Sequence, residues 1–420
     1  MTFRFFLSHS SPTDAAKHRL SELGRAIEHK AQPHAPVQVL YDLEQITAGD
    51  EWRRRIAFML HVCDGGAVLL DEQAVASKWV FVESAFLSLR QKANGAFTFI
   101  PVSFLDDAAL KKAVQGQAGD HRSHSETAWD IVDLASVQYV RGRSVGHVAS
   151  AIVTALRDRG PLQAGGSAAD LLADQLVPWL AEAGPQALQN LAGTLDDAGA
   201  YLTTDARARA AMAIVRHMLS TGCLTSTLEL MKILGTPFPD ARRRQILHEL
   251  SPLCEAMEGA AVLTARRTSG GYVHASVCAT RPSFTVPLYV RRAHLAVQPP
   301  TYFAIENTLG SFESLRASLR HECRRRYLLN EPDITDEDVD EWLGTSNVYV
   351  WVPGPVDGDV LALLDAAYPK VSFIVHHDEP PVDVPNGVVP ITPMLLRAEE
   401  DAIYKDHRYA MSALSVGGSP

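Results

Sequence analysis

The sequence predicts an α/β protein: a flavodoxin-like five-stranded parallel sheet in residues 1–160, a helical segment at 171–268, and a C-terminal α/β domain at 269–415. Three observations carry this. Short apolar runs alternate with amphipathic helical patterns through the first 160 residues, the mark of successive β/α units. The stretch "GPLQAGGSAAD", rich in Gly, Ala, Ser and Pro, reads as a linker at 161–170. After "RRTSGG" the pattern turns from helical to strand-like. A chain of 420 residues also exceeds what one core organises, so more than one domain is expected.

Each element has its own signal. "FRFFLS" is a short apolar strand, and after a polar turn Leu20, Leu23 and Ile27 share one helix face. "VQVLYD" is the second strand, and Trp52, Ile56, Met59 and Cys63 mark the stripe of the second helix. "AVLL" is the third strand; "FTFIPVSF" is the fourth. A helix over "DAALKKAVQ", a strand "SVQYV" and a helix "VGHVASAIVTALRDRG" complete five units, which predicts a parallel sheet covered on both faces. From Leu171 to about Ala265, "LLADQLVPWLAEAG", "ALQNLAGTLDDAGAYL", "ARAAMAIVRHMLSTG" and "STLELMKILG" read as short helices ended near Gly or Pro. The last segment offers strands at "YVHASVCA", "TVPLYVRR", "TYFAIEN", "NVYVWVP", "VSFIVHHD" and "VVPIT". Between them lie helices at "SFESLRASLRHECRRRYLL" and "DGDVLALLDAAYP", with a Rossmann-like character toward the end and a disordered tail, "SVGGSP".

A formal net charge of -10 with 46% hydrophobic residues gives no global pull toward nucleic acid or anionic membrane. Runs such as "GGAVLL" fall far short of a bilayer span, and the N-terminus lacks a signal-peptide pattern, so a cytoplasmic protein without a membrane partner is expected. Cys63, Cys223, Cys254, Cys278 and Cys323 are odd in number and lack CxxC spacing, which predicts buried thiols rather than disulfides or a metal site.

In "SKWVFVE", helical spacing puts Val75, Trp79, Val82 and Phe86 on one stripe with Glu83 at its edge. Glu83 either borders the core with its head in water or serves chemistry. In a doubly wound sheet of order 2-1-3-4-5, ligands bind beyond the carboxyl ends of strands one and three, and the loop after strand three leads into this helix.

These stretches resemble the TIR (Toll/interleukin-1 receptor) family in its bacterial NAD-cleaving form. The matching segments are "FFLSHSS", "LYDLEQITAGDEW", "CDGGAVLLDEQAVASKWVFVE" and "FIPV", in family order over residues 1 to about 159. The resemblance implies an NAD+ hydrolase that releases nicotinamide, with Glu83 as the catalytic glutamate and NAD+ as substrate rather than cofactor. Val80 departs from the many relatives with cysteine after the tryptophan. Chemistry agrees: loss of nicotinamide leaves an oxocarbenium-like ribosyl centre that a nearby carboxylate stabilises. Trp79 is either an aromatic wall for the substrate or a core residue. Ser8, His9 and Ser10 either hydrogen-bond the dinucleotide or cap the next helix. Asp42 and Trp52 are further substrate-binding candidates, Trp52 alternatively anchoring its helix. The resemblance makes 42–52 an assembly loop, with Ile46, Gly49 and Asp50, that packs head-to-tail on a neighbouring copy.

A permanently active enzyme of this kind would destroy its host's NAD+, so the remaining segments read as a switch that drives oligomerisation, even filaments, on a signal in antiviral defence. The signal is expected to be a cyclic oligonucleotide read by the C-terminal region, or else an Argonaute-type partner. Rival readings are an enzyme making a cyclic ADP-ribose-type messenger, and a non-enzymatic TIR scaffold. The arginines at 242–244, 266–267, 291–292 and 324–326 are either solvated ion-paired faces or a phosphate pocket, and "VWVPGPVDGDV" would suit the latter. "HHDEP" at 376–380 strings ligand types together, but neighbours on a strand point to opposite faces, which argues against one metal site.

Overall fold

Phe3, Phe5, Phe6 and Leu7 are all buried, and a strand-length run that is apolar on both faces makes a central strand of a covered sheet. This strand, β1 (Phe3–Ser8), pairs in parallel with β2 (Val37–Leu40) and with β3 (Gly65–Leu70). With β4 (Thr98–Ser103) and β5 (Val140–Arg141) the order is β2-β1-β3-β4-β5, as the sequence predicts. The computed structural model describes residues 2–10, 14–41, 50–93, 97–106, 108–110, 140–141, 144–158, 167–194, 205–264, 273–294, 301–306, 310–327, 334–379, 388–391 and 397–414. Asp42, Ile46, Gly49, most of "DAALKKAVQ", Arg266, Arg267 and the tail lie outside the described residues.

Of the helices, α1 (Asp14–Ala31), α2 (Asp50–Val62), the single-turn α3 (Glu72–Ala76), α4 (Lys78–Ala93) and α5 (Val145–Asp158) belong to this sheet. One face takes α1 and α5, which lay Leu20, Leu23, Ile27, Val148 and Ile152 on Phe5, Leu7 and Ala67. The other takes α2 and α4, which lay Ile56, Leu60, Val80, Phe86 and Leu87 on Phe6, Val68 and Leu70. Each such side chain contributes about 1.5–3 kcal/mol by leaving water. A Cβ on Gly66 would stand 3.0 Å from Leu87 Cδ2, so glycine here lets α4 settle close onto β3.

The helical segment comprises α6 (Ala168–Leu176), α7 (Pro185–Gly193), α8 (Ala206–Thr221), α9 (Leu224–Met231), α10 (Asp240–Leu250) and α11 (Met257–Val262). Its centre is α8, buried from Ala210 through Leu219 except at His217. Residues 167–170, expected at the end of a linker, are instead the cap and first turn of α6. Ser167 and Asp170 close a capping box there, and Ala168 and Ala169 are buried because small residues permit close packing.

The third unit is a second parallel sheet of β6 (His274–Cys278), β7 (Thr301–Ala304), β8 (Val348–Pro353), β9 (Val371–His377) and β10 (Val388–Pro390), in the order β10-β6-β9-β8-β7. Its helices are α12 (Pro282–Ala293), α13 (Phe312–Tyr327), α14 (Asp336–Thr345), α15 (Gly358–Ala367) and α16 (Arg397–Ala413). "TVPLYVRR", expected as a strand, lies in α12. Pro282 starts that helix, and burial on most sides hides the helical period under β-branched and aromatic residues. Ala410 and Leu414, near the end of α16, join the core of the helical segment.

The units share apolar contacts. Val62 of α2 belongs to the helical segment's core. Met257 and Ala261 of α11 belong to the α2/α4 core, and Ala85 of α4, with Phe81 against it, joins the core around Ala260, Ala275 and Tyr289. Among the described residues no helix is long and apolar enough to cross a membrane. Cys63 and Cys323 are buried as expected, whereas Cys223, Cys254 and Cys278 are half-buried, and all five are free.

Candidate functional site

Neighbouring strands β1 and β3 send their chains to opposite faces, β1 into α1 and β3 through α3 into α4, which opens a crevice at their carboxyl ends. Ser8 ends β1 at 1% exposure, and its Oγ makes no hydrogen bond among the described residues. His9 and Ser10 follow, half-buried. Burial pushes the His9 imidazole down to about 4, against a hydrogen bond to the Leu7 backbone and the charge of Asp71, so the ring is neutral near pH 7. Across the crevice, Asp71 leaves β3 and caps α3 by accepting from Ala74 N at 2.8 Å.

His9, Ser10, Arg19, Asp71 and Phe104 line a cavity of about 70 Å³ over an apolar floor that includes Leu20 and Val148. It combines a cation, a carboxylate, a hydroxyl, a neutral imidazole and an aromatic face, a donor set suited to a polar ligand with a ring. Sequence reasoning does not single out Arg19, Asp71 or Phe104. Asp71 has a signal, its place directly after the third strand; Arg19 and Phe104 have none without the topology.

Glu83 lies in the second turn of α4 and is 5% exposed. That removes the reading in which its head extends into water. The burial follows from α4 being covered twice: Val80, Val82 and Phe86 pack toward the sheet, and Phe81 and Ala85 toward α11 and the third unit. Arg90, buried farther along α4, donates to Leu60 O at 2.8 Å and Cys63 O at 2.9 Å, which fixes α4 against the end of α2. Trp79 is half-buried, one turn before Glu83.

The structure thus brings Ser8, His9 and Ser10 to the crevice with Asp71. Glu83 and Trp79 stand on the adjoining helix and are not among the residues lining the cavity. Asp50 and Trp52 occupy the first turn of α2, directly after the candidate assembly loop.

Of the other candidates, several arginines are engaged within the fold. Arg242 pairs with Glu182 at 2.9 Å, Arg291 with Glu249 at 3.3 Å, and Arg325 and Arg326 with Glu322 at 2.8 and 3.0 Å. Arg324 pairs with Asp336, and Arg244 donates to Leu414 O at 2.8 Å. At "VWVPGPVDGDV" the start of α15 is taken by carboxylates: Asp357 accepts from Asp359 N at 2.8 Å, and Asp359 itself stands in the first turn. That disfavours phosphate there. No protein-family model and no curated protein matches the chain.

Proposed function

We propose that residues 1–160 form a TIR-type NAD+ hydrolase, kept in check by the segments that follow and activated by a signal-induced assembly in antiviral defence. The observation that carries this reading is Glu83, a buried carboxylate on the helix entered from β3 at the switch point of a 2-1-3-4-5 parallel sheet. In the reaction the bond between ribose C1′ and the nicotinamide nitrogen breaks, and its electron pair stays on the ring, which leaves neutral. Glu83 stabilises the positive charge developing at C1′, and water adds there and loses a proton, giving ADP-ribose. Arg19 offers its guanidinium to the pyrophosphate, Ser8 and Ser10 their hydroxyls to ribose or phosphate, and Trp79 an aromatic surface. His9, neutral, takes a binding role rather than that of a base, because nicotinamide departs without needing a proton. A cyclic oligonucleotide is the signal we assign to the C-terminal region.

The test uses purified full-length protein with NAD+, with and without cyclic oligonucleotides, and measures nicotinamide, ADP-ribose and cyclised products. Glu83→Gln should lower nicotinamide release at least about 100-fold with the melting temperature kept. Wild-type rates in a folded Glu83→Gln protein sink the assignment, and cyclised ADP-ribose as the main product transfers it to messenger synthesis.

A further inference from the structure

The C-terminal helix α16 touches two units, the third unit through its first half and the helical segment through its second. Its first turn carries Glu400, 3% exposed, which accepts from Thr280 N at 2.9 Å, Thr280 Oγ1 at 2.5 Å, Arg281 N at 3.0 Å and Thr285 Oγ1 at 2.5 Å. This one carboxylate satisfies the loop leaving β6 and the entrance to α12. Asp401 pairs with Arg281, whose guanidinium lies 4.4 Å from the Tyr404 ring centre. Farther along, Asp406 accepts from Leu224 N at 2.7 Å and Thr225 N at 3.1 Å, capping α9 of the helical segment. Ala410 and Leu414 then enter that segment's core.

Along its 17 residues α16 buries only Glu400 and Ala410, while Tyr409 is 62% exposed. It is held by two carboxylates at helix starts, the Arg281–Asp401 pair, Phe284 against the Tyr404 and His407 rings, and Ala410 and Leu414 in the helical segment's core. Such an element can leave as a unit at the cost of baring the patch that Ala410 and Leu414 cover. The two units it joins are those that cover the first sheet's helices. The helical segment lies on α2, with Val62 in its core and Arg54 donating to Thr221 O, and α11 lies on the Glu83 helix through Met257, Ala260 and Ala261. The Glu400 anchor also stands at the carboxyl ends of β6 and β9, neighbours whose chains leave for opposite edges of the second sheet.

We propose that α16 is a releasable strap that keeps the helical segment and the third unit in register over α2 and α4, and that its release loosens both helices. The regulatory meaning rests on the NAD+ hydrolase reading. The packing claim does not.

The experiment compares wild-type full-length protein with Glu400→Gln/Asp406→Asn by amide hydrogen exchange and by NAD+ cleavage without any activator. Exchange should quicken about tenfold at 280–285 and 224–227, where the caps are lost, and also in α2 and in α4. Cleavage should rise above the basal rate. Should the double variant not fold, Asp401→Asn, at the half-exposed ion pair, should give the same pattern at smaller amplitude. Faster exchange confined to α16 and its two landing points, with α2 and α4 unchanged, overturns the strap. If α2 and α4 loosen while no variant or wild-type protein ever cleaves NAD+, the strap stands and the hydrolase reading falls.

Discussion

Arg4 on β1 donates to Asp170 on α6 at 3.0 Å while also pairing with Asp64 at 3.1 Å, so the first sheet and the helical segment share one largely buried ion cluster. Asp170 does double duty, because its Oδ2 also accepts from Ser167 N at 3.2 Å and Ser167 Oγ at 2.5 Å. Asp170→Ala should remove the cap and one arm of the cluster. Asp64 still compensates Arg4, so the cost should be about 2 kcal/mol rather than the full penalty of an orphaned buried charge. Urea unfolding of the full chain measures it. A loss below about 0.5 kcal/mol would mean that the contact is incidental.

His9 gives an acid-side prediction. Its folded pKa of about 4 lies below the ordinary 6.5, so as pH falls through that window the unfolded chain takes up a proton that the folded chain refuses. Stability is lost on acidification, by on the order of 2–3 kcal/mol at pH 4.5 relative to pH 8 from this group. His9→Asn should flatten the curve over this range and leave the pH profile of NAD+ cleavage between pH 6 and 8 unaltered. An inflection in that profile abolished by His9→Asn would make the imidazole a titrating participant.

Glu255 works in the opposite sense. It is 3% exposed, neither carboxylate oxygen has a hydrogen bond among the described residues, and burial, reinforced by Glu400 and offset by Arg292, pushes it up to about 8. The folded protein therefore holds a proton that the unfolded chain releases, and this contribution is full below pH 4.5 and fades as pH rises to 8. Glu255→Gln cannot ionise, so its stability relative to wild type should climb by a few kcal/mol across that window and level off above it. A difference that is constant with pH would remove Glu255 as the titrating group.

The first sheet is legible in the sequence because each strand is a short apolar run bounded by turn residues, and because β/α alternation leaves few topologies. The environment of Glu83 is not. Its burial depends on α11, contributed by residues 257–262, and no local pattern announces a helix covered on both sides by remote segments. Of the crevice, Ser8, His9 and Ser10 can be read from their place after β1, whereas Arg19 and Phe104 reach it only through the packing of α1 and the end of β4. Helix α12 passes for a strand because Val286, Tyr289 and Val290 fit either element, and its start is completed by Glu400, more than a hundred residues away. Helix α16, "RAEEDAIYKDHRYAMSA", escapes sequence reading in its role: what Glu400 and Asp406 accept from, Thr280 N and Leu224 N, lies more than a hundred residues away, and no local pattern announces it.

Trp79 separates pocket from core by substitution. Half-buried beside Val80 and Glu83, it keeps an aromatic surface in Trp79→Phe and loses it in Trp79→Ala. The alanine variant should lose most NAD+ cleavage and about 2–3 kcal/mol of stability, whereas the phenylalanine variant should keep measurable activity. Full activity and an unchanged melting temperature in Trp79→Ala would exclude both roles.

Under the proposed function, the helical segment would reach the candidate assembly loop through α2. Arg54, one turn into α2, donates to Thr221 O at the end of α8, and the next residue, Gly222, has φ +60, where a Cβ would stand only 3.3 Å from the Arg54 guanidinium. The residues before α2 are those expected to bind a neighbouring copy, so this exposed hydrogen bond tethers the loop's own helix to the centre of the helical segment. Arg54→Ala should cost under about 1 kcal/mol of stability, as an exposed contact does. It should nonetheless raise basal NAD+ cleavage and shift light scattering toward larger species at a given concentration. Gly222→Ala should cost more, about 1–2 kcal/mol, from the left-handed backbone that alanine resists, and disturb the same tether from the other side. If Arg54→Ala leaves both cleavage and assembly at wild-type levels while Glu400→Gln/Asp406→Asn raises them, control runs through α4 and α11 rather than through α2.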